Sequence, residues 1–286
     1  EYMLKIGGFV VVIVSVLGGF LLSGGHIAAL WHPFEILIIG GAALGAFLVA
    51  NSIAVVKKCL GAAPAIIFGH RFSKPFYLDV LGLLYEVLNK SRREGMMAIE
   101  QDIEEPNESP IFSKYPAILK DRMMTEFICD YLRIMSTGNM APHELEALFD
   151  VEISAISEEL QEPSHAVTRV ADALPGFGIV AAVLGIVITM SILGDADKAE
   201  IGEKVATALV GTFLGILAAY GFVGPFATAM GHTAHEEANT YEAIKMTLVA
   251  SAQGLPPALA VEFGRKSLLP EHRPSFTELE DSVKGR

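Results

Sequence analysis

The most constraining feature of this sequence is a run of 31 residues, Val205–His235, that contains no Asp, Glu, Lys or Arg. A helix that crosses the hydrocarbon core of a bilayer needs about 20 predominantly apolar residues, because every backbone polar group in lipid must be hydrogen-bonded internally. Three further stretches meet this requirement: Ile6–Leu22, Ile36–Val56 and Ala173–Gly194. The 31-residue run is longer than the core is thick, so we expect it to protrude, tilt or bend at Pro225. The chain is therefore predicted to be an integral membrane protein.

The composition agrees with this interpretation and excludes several classes of function. Of 286 residues, 52% are hydrophobic and 19% are charged, which excludes a disordered chain. The net charge of −12 argues against a nucleic-acid-binding surface. Cys59 and Cys129 match no disulfide framework or metal-ligand spacing. The phosphate-cradling loop, the zinc-protease motif and the nucleophile elbow are absent from the sequence. We therefore predict no enzymatic activity, no cofactor, no metal site and no nucleic-acid partner.

The placement of the 21 basic residues predicts the orientation in the bilayer. One is Lys5, none lies in 23–35, twelve lie in 57–169, two in 195–204 and six in 245–286. Lys and Arg close to span ends mark the cytoplasmic side. We therefore expect both termini, the middle segment and the tail in the cytoplasm. The first apolar block is expected to be a span, with Met3 as the natural start, because no basic segment precedes it as in a signal peptide.

The predicted organisation is an all-α polytopic membrane protein with four transmembrane helices and a helical cytoplasmic domain. We expect a transmembrane hairpin over 3–56 (spans of about 6–22 and 36–56), a cytoplasmic helical domain over 57–172, a second hairpin over 173–235 (spans of about 173–194 and 205–230) and a cytoplasmic tail over 236–286. Apolar stripes at helical spacing predict helices over 76–89 and 121–135. Pro142 is expected in the first turn of the next helix.

The four spans lack the charged groups that usually mark an ion pathway. The notable polar residues of the third and fourth spans are Thr189, Thr207, Thr212 and Tyr220. A hydroxyl can line a proton or water path, but it does not carry charge at neutral pH. If this chain takes part in using an ion gradient, another chain has to supply the carboxylate.

Small residues and prolines in the spans each allow two interpretations. The GxxxG sequences Gly41–Gly45 and Gly211–Gly215 let helix backbones approach closely. Packing within the chain is the commoner outcome, and packing against a partner chain is the alternative. Pro175 and Pro225 either start and bend a helix, respectively, or together form a hinge that couples ion occupancy to cytoplasmic motion.

At these positions the sequence resembles a known family. The segments LPGFGIVAAVLG (174–185) and VGTFLGILAAYG (210–221) closely resemble the last two spans of MotA, the stator subunit of flagellar motors. Further similar blocks are KSRREG (90–95), IEQDI (99–103), VEFGRK (261–266) and RPSFTELE (273–280). The resemblance extends from Met3 to the tail.

The resemblance implies a partner, an assembly and a set of site residues. In that family five MotA subunits form a ring around two MotB chains, and each single-span MotB supplies an essential aspartate. Protons crossing by way of that aspartate turn the ring against the rotor protein FliG. Arg92 and Glu100 correspond to the family's rotor-binding residues, although Arg93 and Glu94 leave open which cation faces the rotor. On one helix Arg92 and Glu100 would lie about 80° apart. Pro175 and Pro225 correspond to the family's two prolines.

The resemblance also implies the ion. Sodium-driven relatives carry a threonine at the position of Ala182, and alanine lacks the oxygen that a hard cation prefers. We therefore expect protons, with Ala182, Thr212 and Tyr220 lining the path, in a bacterial inner-membrane protein surrounded by lipid bilayer. The main alternative is an energiser of the ExbB or TolQ type, whose members have three spans. A self-sufficient channel or a structural scaffold fits the sequence less well.

Overall fold

The computed structural model describes residues 2–68, 71–192, 194 and 197–284. In these ranges the secondary structure is helical, which confirms the predicted all-α class. The helices are α1 (Tyr2–Leu22), α2 (Pro33–Ala50), α3 (Ile53–Phe68), α4 (Lys74–Glu94), α5 (Glu100–Glu104), α6 (Pro116–Leu119), α7 (Arg122–Thr137), α8 (Pro142–Ser191), α9 (Lys198–Leu217), α10 (Gly224–Ala252), α11 (Pro257–Ser267) and α12 (Phe276–Lys284). Ala218–Val223 forms a π-helical segment between α9 and α10.

Four helical stretches are long and apolar enough to cross a membrane, as the sequence predicts. They are Met3–Leu22, Ile27–Ala50 and apolar windows within Pro142–Ser191 and Lys198–Ala252. The predicted second span, 36–56, covers most of α2 and the start of α3. The helix is interrupted at Asn51, whose backbone is extended and whose side-chain amide donates to the Phe47 carbonyl at 2.7 Å. A side chain that bonds to the local backbone in this way competes with helix continuation.

The first of two compact units comprises 1–69 and 161–232. Within it α2 packs against α9, and α1 packs against α3 and the π-helical segment. Its buried apolar cluster is small and contains Ile39, Ala43, Leu174, Ala181 and Ala219.

The second unit comprises 70–160 and 233–286 and has a much larger apolar core. The helices α11 and α12 pack against α4, while α5 and α6 pack against α7. The predicted helix 76–89 lies within α4, and the predicted helix 121–135 matches α7 except that Asp121 is its N-cap. Pro142 is the first residue of α8. The side chain of Asp121 accepts a hydrogen bond from the Met124 backbone amide at 3.0 Å, which caps α7. These local predictions are confirmed.

Candidate functional site

The helices α8 and α9 approach each other where glycines replace side chains. A Cβ added at Gly215 would lie 2.7 Å from the carbonyl oxygen of Leu174, and one at Gly178 would lie 2.8 Å from that of Gly211. A Cβ at Gly185 would lie 2.8 Å from the Ala208 Cβ. No side chain fits at such distances, so the two helices are in backbone contact here. The GxxxG of α9 therefore packs within the chain, the commoner of its two possible outcomes.

Ala182 and Thr212 both lie along this helix contact. A Cβ at Gly178 would lie 3.3 Å from the Thr212 Cα, and one at Gly211 would lie 3.4 Å from the Ala182 backbone nitrogen. Both residues are partly exposed. We refer to Gly178, Ala182, Gly211, Thr212 and Gly215 as the glycine crossing.

The hydroxyl of Thr212 differs from those of the other threonines in α8–α10 near the spans. Thr189, Thr207 and Thr228 each donate to the carbonyl four residues earlier, at 2.8, 3.0 and 3.1 Å. For Thr212 no hydrogen-bond partner is found among the described residues. Its hydroxyl is therefore available to water or to a group from another chain.

The long apolar run is interrupted just before Pro225. In the π-helical segment the Gly224 amide donates to the carbonyl of Ala219, five residues earlier. Pro225 has no N–H to donate to the Gly221 carbonyl, and its ring would clash with that carbonyl in an ordinary α-turn. A wider turn relieves the clash, and π-turns of this kind are frequent at functional sites. The structure thus shows a change of helix type next to Pro225.

Tyr220 lies in the π-helical segment with its side chain 70% exposed. It lines a pocket of about 300 Å³ with Pro225 and with α1 residues that include Lys5 and Phe9. The structure therefore groups Tyr220 with Pro225, whereas Ala182 and Thr212 belong to the glycine crossing.

Pro175 lies in the interior of α8, which runs from Pro142 to Ser191. The interpretation in which Pro175 merely starts a helix is therefore wrong, because the helix already begins at Pro142. Like any internal proline, Pro175 leaves the carbonyl four residues earlier, that of Ala171, without its helical donor. A Cβ at Gly224 would lie 4.0 Å from the Ala171 Cβ. The segments adjoining the two prolines are thus neighbours.

A hydrogen bond that joins α8 to α10, close to Pro163 and Pro225, was not predicted from the sequence. The buried Ser164 hydroxyl of α8 donates to the Ala227 carbonyl of α10 at 2.8 Å. A Cβ at Gly231 would lie 3.1 Å from the same hydroxyl. The available signal was a serine directly after Pro163, but the sequence alone does not indicate which carbonyl it reaches.

Arg92 and Glu100 do not share a helix, so the predicted 80° relation between them is wrong. The helix α4 ends at Glu94, Gly95 has φ +92°, and Met96–Ile99 forms a 3-10 turn before Glu100 begins α5. Glycine adopts this positive φ at little cost. Both side chains are exposed, but their directions are set by two separate short elements.

Arg92 and its neighbour Arg93 are the arginines without a hydrogen-bond or ion-pair partner in the part of the chain that the structure describes. The other described arginines all have such partners, namely Arg71, Arg122, Arg133, Arg169, Arg265 and Arg273. Lys90, one turn from Glu94, pairs with Asp102 at 2.7 Å. Arg92 and Arg93 lie in the last turn of α4, where positive charge complements the helix dipole.

Comparison with known families decides the affiliation. The description "Motility protein A N-terminal" matches residues 6–95, and "MotA/TolQ/ExbB proton channel family" matches residues 119–243. Motility protein A of Salmonella typhimurium is 46% identical over 283 residues, which is 99% of this chain and 96% of that protein. The chain belongs to the motility protein A family. Chemotaxis protein LafT of Vibrio parahaemolyticus is 41% identical over 278 residues, covering 97% of each chain.

Membership of the motility protein A family confirms two further predictions. Its relatives are named as motility and chemotaxis proteins, so the family is not one of enzymes. Together with the four apolar helices, the family makes this chain an inner-membrane protein.

Two solved structures share the fold. C. jejuni MotAB gives a TM-score of 0.75 at 19% identity, covering 94% of this chain and 97% of that one. The flagellar MotAB stator complex from Bacillus subtilis gives 0.71 at 21% identity, covering 96% and 97%.

Proposed function

We propose that this member of the motility protein A family is the ring-forming stator subunit of a flagellar motor and that it conducts protons together with a MotB-type single-span protein. The observation that carries the proposal is the glycine crossing, where Thr212 presents an unpaired hydroxyl between two spans that lack charged residues. Such a surface can guide a proton but cannot hold one at neutral pH. A membrane aspartate on the partner supplies the missing carboxylate.

Ala182, Thr212 and Tyr220 line the proposed ion path. The methyl group of Ala182 provides no oxygen ligand beside Thr212, and a dehydrated sodium ion requires several such ligands. Tyr220 is exposed and lies eight residues beyond Thr212, in the π-helical segment. These features support proton rather than sodium transport.

Pro175 and Pro225 form the proposed coupling hinge. Each removes one helical hydrogen bond. Ala171, whose carbonyl lies one turn before Pro175, is a neighbour of Gly224, which directly precedes Pro225. The backbone hydrogen bond of a π-turn spans one residue more than that of an α-turn. A shift between these two turn types at 218–223 would change the register of α10 relative to α9. Through this change, the binding of a proton in the ion path would move the cytoplasmic helices.

Arg92 and Glu100 form the proposed contact with the rotor protein FliG. Their exposure and lack of partners among the described residues leave both charges free for an external ligand. Arg93 has the same properties, so it contributes to the same basic surface. We further propose a ring of five subunits with both termini in the cytoplasm, in agreement with the placement of Lys and Arg close behind the second span.

Proton flux into proteoliposomes tests the proposal. Liposomes containing this chain alone are expected to show background flux, whereas the complex with an activated MotB-type partner conducts protons. Replacing the partner's membrane aspartate with asparagine should return flux to background, and exchanging sodium for potassium should leave it unchanged. Flux from this chain alone would contradict the need for a partner carboxylate. Sodium-dependent flux would overturn the assignment of the ion.

A further inference from the structure

A surface pocket of about 440 Å³ adjoins Arg92 in the second unit. It is formed where α4, α7 and α10 end and where α8 and α11 begin. Its lining includes Met96, Met135, Met140, Ala252 and Leu255, with Arg92 at its edge. We call it the methionine pocket.

The chemistry of the methionine pocket is that of an adaptable binding surface. Three of its lining residues are methionines, and Met140 is 39% exposed. Methionine side chains are flexible and polarizable, so they adjust to apolar groups of different shape. Two positive-φ glycines, Gly138 (φ +65°) and Gly254 (φ +90°), turn the chain at its wall. The backbone turns therefore fix the pocket walls, whereas the methionine side chains that a ligand contacts can change conformation.

The charge beside the pocket indicates what kind of ligand fits. Arg92 and Arg93 are exposed and have no partner among the described residues, in contrast to the other described arginines. An occupant with a carboxylate close to an apolar side chain would pair with Arg92 while filling the pocket. Apolar anchors in pockets next to charge pairs dominate many protein interfaces.

We propose that the methionine pocket receives a large apolar side chain of the rotor protein, next to a carboxylate that pairs with Arg92. This inference rests on the proposed function, because it takes the rotor protein as the occupant. It adds to the charge contact an apolar anchor, which fixes the position of the rotor protein along the surface. Charge pairs alone fix such a position poorly, since exposed ion pairs are weak and are screened by salt.

Binding of the rotor protein to the purified complex of this chain with its MotB-type partner tests the inference. Met140→Gln should weaken binding about tenfold by placing an amide in the pocket. The matched control is Met123→Gln, because Met123 lies at the other end of α7 with a similar exposure of 37%. It should change affinity less than about twofold. Proton conduction by each variant complex verifies that the fold is intact.

A photoreactive side chain gives a second measurement that does not depend on affinity. Placed at position 140 in motile cells it should crosslink to the rotor protein, and placed at position 123 it should not. Normal affinity of Met140→Gln without crosslinking at 140 would overturn the pocket inference. If Arg92→Glu weakens binding in that case, the rotor contact in the proposed function still stands. Unchanged binding by Arg92→Glu would instead overturn that contact.

Discussion

The two compact units place large and small apolar side chains in opposite ways. In the first unit the contacts between α8 and α9 are made by Gly178, Gly185 and Gly215, while large side chains such as Leu22 and Val49 are 91% exposed. In the second unit Phe127, Tyr131, Phe149 and Tyr241 pack together inside. Lipid solvates large apolar groups, so membrane helices associate through close backbone contact. In water the large groups themselves are buried. The same chain therefore follows two packing rules.

The largest expected effect of a single change is in the aromatic core of the second unit. Phe149 is fully buried, and its ring stacks on Tyr131 with centroids 3.5 Å apart. Phe149→Ala should lower the free energy of unfolding by about 3–5 kcal/mol, because it leaves a cavity. Thermal unfolding of the complex in detergent measures this. Leu148→Ala, at a neighbouring position that is 39% exposed, should cost under about 1 kcal/mol. Equal losses would show that the aromatic cluster is not the centre of this unit.

In the first unit the corresponding test is to add a methyl group where two helices are in backbone contact. Gly215→Ala would place a methyl group 2.7 Å from the Leu174 carbonyl oxygen and 2.9 Å from the Gly178 Cα. Backbone atoms cannot move aside as side chains do, so we expect a loss of about 2–3 kcal/mol. Thermal unfolding and the abundance of the protein in the membrane measure it. Wild-type stability of this variant would mean that α8 and α9 are not in backbone contact.

Local sequence patterns predict much of the fold but not its long-range contacts. Apolar runs, helical stripes and the proline at position 142 locate four spans and the helices α4, α7 and α8. The continuity of α8 through Pro175 was missed, because neighbouring helices can support a proline inside a long membrane helix. The break at Gly95 was missed because nothing in KSRREG shows which conformation its glycine takes.

The candidate site, like the fold, can be predicted only in part from the sequence. The backbone contact around Gly178 and Gly215 is consistent with the GxxxG spacing, which indicates that a helix can pack closely. That spacing does not identify the helix that packs against it. Neither the position of Ala182 and Thr212 at the glycine crossing nor the hydrogen bond from Ser164 to Ala227 could therefore be derived. The methionine pocket is built from three stretches that are distant in sequence, 88–96, 134–145 and 251–257. Such a site can be recognised only in the folded structure.

Buried charge in the second unit gives a smaller, pH-dependent effect. The Arg265 guanidinium donates to Glu262 at 2.6 Å, and this hydrogen bond lowers the pKa of the Glu262 carboxyl below its usual value of 4.5. A lowered pKa in the folded state stabilises the protein above the ordinary pKa, and the contribution is lost as the pH falls through the folded value. Glu262→Gln should therefore cost about 1–2 kcal/mol at pH 7. Unfolding measured from pH 7 to pH 3 should show the difference from wild type shrinking.

The smallest effect on the fold tests the contrast between the two GxxxG sequences. Gly41 and Gly45 of α2 have no other described atom within 4 Å of an added Cβ, unlike Gly211 and Gly215 of α9. Gly41→Ala should therefore stabilise the isolated subunit by about 0.5 kcal/mol, because alanine favours a helix more than glycine does. Thermal unfolding compares it with Gly215→Ala, for which the opposite sign is expected. Size-exclusion chromatography of the same samples reports assembly. If Gly41→Ala dissociates the complex while leaving the subunit stable, the face of α2 that carries Gly41 is a contact between chains, and its open appearance belongs only to the single subunit.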